Sequence, residues 1–457
     1  MLLTAVLVVG GVGGALLVAR AFWFNRQPRA PGAWPAERLR PSAGPARLKP
    51  ASTPEEEAAA LKEEELRFAQ QLVREFPESE EPLVLLGDVY RRRGITDQAA
   101  DFWEKALQRN PRRADVHTRL AQLAFDKDEY EKAIDLWRKA LEVNPALGRA
   151  HIDIARSMMA LGQYRESIPE IREELKTAPN VPLGYFLLGQ AYQHLEDYEN
   201  ARQNYEKTVE LAPHHANAHY GLYTIYTRLK ETEKAQRHLA EFQKCKERDA
   251  RRVQQRDQET TDLNLFARGL ARVCAGAHEL YLRAGNGAQV EATLQRSVEL
   301  DPNNVGYLEK LVALYQAARR TPEALALCRR IERIDPNNAA CQLNIGKLSD
   351  QVGRSEDAEK ALRKVTTLLP TYYAGYLELA RFYLRNNREL PQARELAQKA
   401  VNLEPRADCW FVLGWAYDVN GDPAGALSAI QKAIQLDPNN RQYAQLYERI
   451  KQREESQ

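Results

Sequence analysis

The chain has 457 residues, 28% of them charged, a formal net charge of +2 and a hydrophobic fraction of 44%. That balance gives no reason to expect a nucleic-acid partner or an acidic substrate, and the hydrophobic content is that of an ordinary folded chain. The five cysteines (245, 274, 328, 341 and 409) form no CxxC pair. They read as buried small apolar residues of a reducing compartment rather than as a zinc or redox motif.

The first predicted element is a membrane span over residues 2–24. Leu2 to Ala19 carry no charge and one polar side chain, Thr4; Arg20 and the aromatics Phe22, Trp23 and Phe24 follow. At 1.5 Å per residue such a helix approaches the ~30 Å hydrocarbon thickness, and the aromatics suit the headgroup level. A cleaved signal peptide is the rival reading. It would need a basic start and a small-residue cleavage pattern, and neither stands here. Residues 25–54 hold seven prolines and six Arg or Lys against one acid, Glu37. They read as an extended spacer with a reach of about 90 Å. The basic excess on the C-terminal side of the span places the remainder of the chain in the cytoplasm. The expectation is therefore a single-pass membrane protein.

From Glu55 onward the pattern is helical. Prolines recur at 77, 111, 145, 179 and 213, each 34 apart, then at 302, 336 and 370, followed by 405 and 438. A fixed period of this size signals a repeat architecture. With the proline numbered as position 32, the repeat starting at Glu80 has Leu86, Gly87 and Tyr90 at positions 7, 8 and 11, and Ala99, Trp103 and Ala106 at 20, 24 and 27. The repeat at Pro182 has Leu188, Gly189, Tyr192, Ala201, Tyr205 and Thr208, and the one at Ala407 has Leu413, Gly414, Tyr417, Ala426, Ile430 and Ala433. Small residues at 8, 20 and 27 let two antiparallel helices touch, and large ones at 7, 11 and 24 fill the space beside them. The proline ends the second helix, because the residue before it avoids the α region. Thr321-Pro322 and Asp422-Pro423 read as an N-cap followed by proline at N1, and Pro169 is expected in the first turn of its helix.

This register resembles the tetratricopeptide repeat over roughly residues 55–455. The resemblance implies an all-α superhelical solenoid of stacked hairpins. Ten full repeats are expected, five in an N-terminal array (55–249, with a leading half repeat) and five in a C-terminal array (271–457, with a capping helix over 441–455). Between them lies an insertion, 250–270, whose charged start extends the preceding helix before Thr260-Thr261-Asp262 breaks it. Tyr223, His278 and Val312 stand at position 8 nearby, where bulk would push paired helices apart. The insertion reads either as a joint between two sub-arrays whose relative angle varies or as a rigid but irregular repeat.

No stretch is left over for a catalytic domain. No phosphate-binding loop or HExxH motif occurs, and the Gly-rich residues 11–14 lie inside the apolar span. An enzyme, a cofactor and a small-molecule substrate are not expected. His214, His215 and His219 cluster, but His117, His151 and His219 share position 4, so packing explains them without a metal. The resemblance places positions 2, 5 and 9 on an inner, concave surface. Read in order, positions 5 and 9 offer two stripes. One comprises Ile152, Arg156, Phe186, Gln190 and Tyr220; the other comprises Leu343, Lys347, Leu377, Arg381, Phe411 and Trp415. A protein or peptide partner could lay apolar anchors along either stripe, with the basic residues favouring an acidic segment or a terminal carboxylate. No repeat pairs Lys at position 5 with Asn at position 9, which argues against docking of chaperone C-termini. The layout resembles bacterial membrane-anchored repeat proteins of envelope assembly, but the C-terminal CxxC module of the lipopolysaccharide assembly protein B type is missing. The sequence thus predicts a membrane-tethered adaptor or scaffold. A self-associating structural protein and a secreted or periplasmic protein with a cleaved leader are the alternatives.

Overall fold

The computed structural model describes residues 53–259 and 262–455, with the side chains of 253–262 left aside. The expected membrane span and the spacer up to residue 52 lie outside the described residues. Among the described residues no helix is long and apolar enough to cross a membrane, and all regular structure is helical, in 22 helices. These fall into two compact units that divide between Ala284 and Gly285.

The N-terminal unit contains α1 (Pro54–Glu75), α2 (Glu81–Arg92), α3 (Thr96–Arg109), α4 (Ala114–Asp126), α5 (Tyr130–Val143), α6 (Ala150–Ala160), α7 (Tyr164–Thr177), α8 (Pro182–His194), α9 (Tyr198–Leu211), α10 (Ala216–Arg228), α11 (Thr232–Glu259) and α12 (Asp262–Arg283). Each helix from α1 to α10 packs on the next. The pairing follows the residue pattern. Gly87 faces Trp103 so closely that a Cβ on it would lie 2.5 Å from the indole Cδ1, and one on Gly189 would lie 2.6 Å from the Tyr205 ring. Ala99, Ala106, Ala133, Ala140 and Ala201 are fully buried where the helices touch. The position-4 residues also tie the repeats together: the side chains of His117, Tyr185 and His219 donate to the carbonyls of Pro111, Pro179 and Pro213 at 3.0, 3.0 and 3.1 Å. Each satisfies a carbonyl just past a helix end, a group left without a partner by the helix itself.

The described residues of the insertion, 250–259 and 262–270, are helical. The other second helices have 14 residues, whereas α11 has 28 and runs for about 42 Å at 1.5 Å per residue. The next helix, α12, packs against α1 and α2. Tyr281 donates to Glu75 at 2.6 Å and its ring meets Phe76 edge-on at 5.4 Å, while Arg283 lies 3.3 Å from Glu81. The helix expected to close an open start is therefore itself covered, and residues 271–283 belong with the N-terminal unit.

The C-terminal unit contains α13 (Gly287–Leu300), α14 (Val305–Ala317), α15 (Thr321–Ile334), α16 (Ala339–Gln351), α17 (Ser355–Leu368), α18 (Tyr373–Arg385), α19 (Leu390–Leu403), α20 (Ala407–Val419), α21 (Pro423–Leu436) and α22 (Arg441–Glu455). Gly346 meets Leu362 and Gly414 meets Ile430 in the same way as above. Where Val312 replaces the small residue, Cys328 stands at position 24, and the two share one fully packed cluster. The bulk has changed sides and the hairpin stays closed. Helix α22 lays Tyr443, Leu446 and Ile450 over Ala426, Ile430 and Ala433, leaving its other face polar.

Two local expectations are corrected. Asp422 caps α21, accepting from the Gly425 N–H at 2.8 Å, but Thr321 is the first residue of α15 rather than its cap. Pro169 sits inside α7, past the first turn, so its missing N–H removes one helical hydrogen bond. All five cysteines are buried and free.

Candidate functional site

In both units the first helices of neighbouring repeats touch each other directly, α6 with α8, α8 with α10, α16 with α18 and α18 with α20. First helices therefore share one side of each unit, and positions 5 and 9 belong to that side.

In the N-terminal unit the structure gathers Phe186, Gln190 and Tyr220 around one surface hollow of about 240 Å³ between α8 and α10. Gln193, His194, Tyr205, Asn217 and Gly221 complete its lining. The hollow is built from the repeat pattern. The Tyr205 ring is clamped between Gly189 and Gly221, where added Cβ atoms would lie 2.6 and 2.7 Å from it. Its hydroxyl donates to Gln193 Oε1 at 2.8 Å. Burial pushes the Tyr205 phenol up, so it remains a donor at any physiological pH. Phe186 rests on Tyr205 and His215 with ring centroids 5.9 and 4.6 Å away. Burial lowers the His215 pKa, in keeping with the bare Nδ1 that accepts from the Ala218 N–H at the start of α10. Tyr220 is braced by Phe242 at 5.3 Å and Tyr223 at 5.9 Å, yet stays 51% exposed. It is the one Phe, Tyr or Trp side chain among the described residues that stands open to solvent.

The other candidates of this stripe lie elsewhere. Ile152 is 1% exposed and packs inside, against Ile171 and Leu187. Arg156 lays its guanidinium over the Phe125 ring at 4.9 Å and reaches Asp153 at 3.2 Å.

In the C-terminal unit Leu377 is 1% exposed and belongs to the core, with Leu343, Phe411 and Trp415 half-buried against the same cluster. Phe411 packs against Tyr443 of the last helix, with the ring centroids 4.8 Å apart. The basic pair is already matched. Arg381 binds the buried Glu378 at 2.7 Å and reaches Asp408 at 3.8 Å, and Lys347 lies 3.9 Å from Glu378. An incoming carboxylate would have to compete with these acids.

Among the described residues no group of three or more His, Cys, Asp or Glu is disposed to hold a metal. His219 donates through Nε2 to Pro213 and turns Nδ1 to His238 Nδ1 at 3.0 Å. Sequence reasoning missed Gln193, Asn217 and Tyr205. Asn217 occupies position 2, an inner position outside the two stripes, and Tyr205 reads from spacing only as a filler between helices.

The chain matches the tetratricopeptide repeat family over residues 114–147, 182–215 and 407–440. These segments are tetratricopeptide repeats, and α8 and α9, which supply most of the hollow, fall within the second of them. No curated protein sequence matches the chain. Among solved structures it is similar to MamA from Desulfovibrio magneticus RS-1 (20% identity, 35% of this chain and 92% of that one, TM-score 0.34) and to yeast Tom70 (14% identity, 82% and 96%, TM-score 0.34). It is also similar to YrrB, a repeat protein described as having an unusual peptide-binding site (20% identity, 39% and 91%, TM-score 0.35). At such scores these likenesses carry nothing over about ligand or partner.

Proposed function

We propose that this protein is a membrane-tethered, non-catalytic scaffold that holds a protein or peptide partner on the first helices of its repeats. The observation that carries this reading is Tyr220, half open to solvent beside a hollow while every other described Phe, Tyr or Trp side chain is buried or less exposed than it. Leaving about half of a large side chain in water has a free-energy cost of roughly 1 kcal/mol relative to full burial, and a partner that covers it recovers that cost. A braced aromatic of this kind is the usual anchor of a protein interface. The tether is the apolar run 2–24, with residues 25–54 as its spacer and the repeats on the cytoplasmic side, that of a bacterial inner membrane.

The test is a photo-crosslinking residue placed at 220 in intact cells, with a control at Glu131 on an outer helix. A discrete protein adduct at 220 and none at 131 is the expected outcome, and equal labelling at both positions would sink the reading. Deleting residues 1–24 should move the chain from the membrane fraction to the soluble one.

A further inference from the structure

We infer that the hollow between α8 and α10 takes one uncharged aromatic or large aliphatic side chain from an extended segment of the partner, and that the amides of Gln190, Gln193 and Asn217 hold the main chain on either side of it. This deepens the reading above and rests on it.

Three observations point to that occupant. The first is charge. None of the residues that line the hollow is Lys, Arg, Asp or Glu. A carboxylate or ammonium entering it would lose hydration and meet no oppositely charged Lys, Arg, Asp or Glu, and the one imidazole of the lining, His194, is already stacked on Tyr164 at 4.1 Å, so its burial costs more than that of a neutral group. The second is the set of hydrogen-bonding groups. Among the described residues the side-chain amides of Gln190 and Asn217 have no hydrogen-bond partner, so each offers a donor and an acceptor. Gln193 has its oxygen occupied by the Tyr205 hydroxyl, which fixes the amide and leaves its NH2 to donate. Primary amides match the N–H and C=O of a peptide main chain, which also offers one donor and one acceptor per residue. The third is size. At about 240 Å³ the hollow falls below the roughly 300–1,000 Å³ typical of small-molecule and cofactor sites. One large side chain between the Phe186 and Tyr220 rings fits it.

The site is also rigid before anything binds. Gly189 and Gly221 lock the Tyr205 ring, Tyr205 locks Gln193, and Phe242 with Tyr223 braces Tyr220. Rigid aromatic walls reduce the entropy lost on binding. The stripe of the C-terminal unit differs, since its charges are already paired and its Leu377 is inside. The preference is therefore assigned to this hollow and not to that stripe, and it is for an internal neutral segment, not a chain terminus.

The test uses the full-length chain and four capped 12-residue peptides of Gly and Ser, each with one central Trp, Leu, Glu or Lys. Binding is read from broadening of the peptide NMR lines. The Trp and Leu peptides are expected to bind at least tenfold more tightly than the Glu and Lys peptides, with affinity little changed between 50 mM and 300 mM salt. Removing the C-terminal cap should give no gain. Tyr220→Ala and Gln193→Ala should each weaken the Trp peptide at least fivefold, with unchanged helical circular dichroism. Equal or tighter binding of the Glu or the uncapped peptide overturns the inference. Binding that survives Tyr220→Ala but is lost in Trp415→Ala leaves the scaffold reading standing and removes the hollow from it. The chain carries a Pro-flanked aromatic of its own at Trp34. A tighter fit of the Trp peptide to Trp34→Ala would give the hollow to that segment and overturn a partner as its occupant.

Discussion

Position 15 of every full repeat is in the left-handed backbone region. Glycine occupies it in five repeats, at 94, 162, 285, 353 and 421, with φ between 72° and 79°. Asp128, Glu196, Lys230, Arg319 and Asn387 occupy it in the others, with φ between 49° and 60°. The turn between the paired helices demands that conformation whatever residue stands there. For a residue with a Cβ it costs roughly 1–2 kcal/mol, Asp and Asn least. Glycine avoids the clash but loses about 0.5–1 kcal/mol more backbone entropy on folding. The difference favours glycine at Lys230 and Arg319, whose side chains cannot bond back to the turn as Asp or Asn can. Lys230→Gly and Arg319→Gly should each stabilise their own unit by about 0.5–1 kcal/mol, seen as a higher urea midpoint. Lys230→Ala, which keeps the Cβ, should give no such gain. The five glycines are visible in the sequence at one register. The rule they express is hidden there, because the other five positions hold charged or amide side chains that look like ordinary loop residues.

Within an element pair the contact between positions 8 and 24 carries the packing, and it is the most legible feature of the chain. Gly87 with Trp103, Gly189 with Tyr205, Gly346 with Leu362 and Gly414 with Ile430 each join a bare backbone to a large side chain. A small residue opposite a large one can be read from spacing alone. The compensated pair Val312 and Cys328 escapes such a reading when bulk at position 8 is weighed without its partner 16 residues on. The same gap hides part of the hollow: Phe186, Gln190 and Tyr220 sit at known inner positions, whereas Gln193 enters only through its bond to Tyr205. Adding a methyl to Gly414 would place a carbon 2.4 Å from Ile430 Cγ1 and 3.2 Å from the Ala426 carbonyl oxygen. Gly414→Ala should therefore destabilise the C-terminal unit by about 1–3 kcal/mol. Ile430→Ala alone should cost about 2–5 kcal/mol as a cavity. If the two side chains compete for one space, the double variant loses clearly less than the sum, by the logic of a double-mutant cycle. Strict additivity in urea unfolding would count against that contact.

At the scale of the whole chain the period describes only neighbours, since each repeat touches the next. It carries no signal for a helix that returns to the start of its own array about 200 residues later, and α12 on α1 is such a contact. What holds it is partly polar. Glu65 of α1 is buried at this seam, bonded to Arg92 Nε of α2 at 3.0 Å, with Arg93 and Arg272 near it. One of its oxygens, Oε2, has no hydrogen-bond partner. Burial raises the Glu65 pKa above the ordinary carboxylate value, and the three arginines only partly offset it. A carboxyl whose pKa is raised on folding binds its proton more tightly in the folded state, so its contribution favours folding at low pH and is lost as pH rises through the raised value. The seam should accordingly loosen as the pH climbs out of the acid range, and Glu65→Gln, neutral throughout, should flatten that dependence. Gly269 of α12 lies against the same group, and a Cβ there would sit 2.5 Å from Glu65 Oε1 and 3.1 Å from Arg92 Nε. Because Glu65 is enclosed, it has nowhere to retreat, and a leucine at 269 forces α12 away from α1. Hydrogen exchange on Gly269→Leu at fixed pH should then lose protection in 54–75 and 262–283 while 407–450 keeps it. Protection unchanged in all three segments would mean that α12 does not pack on α1 in solution.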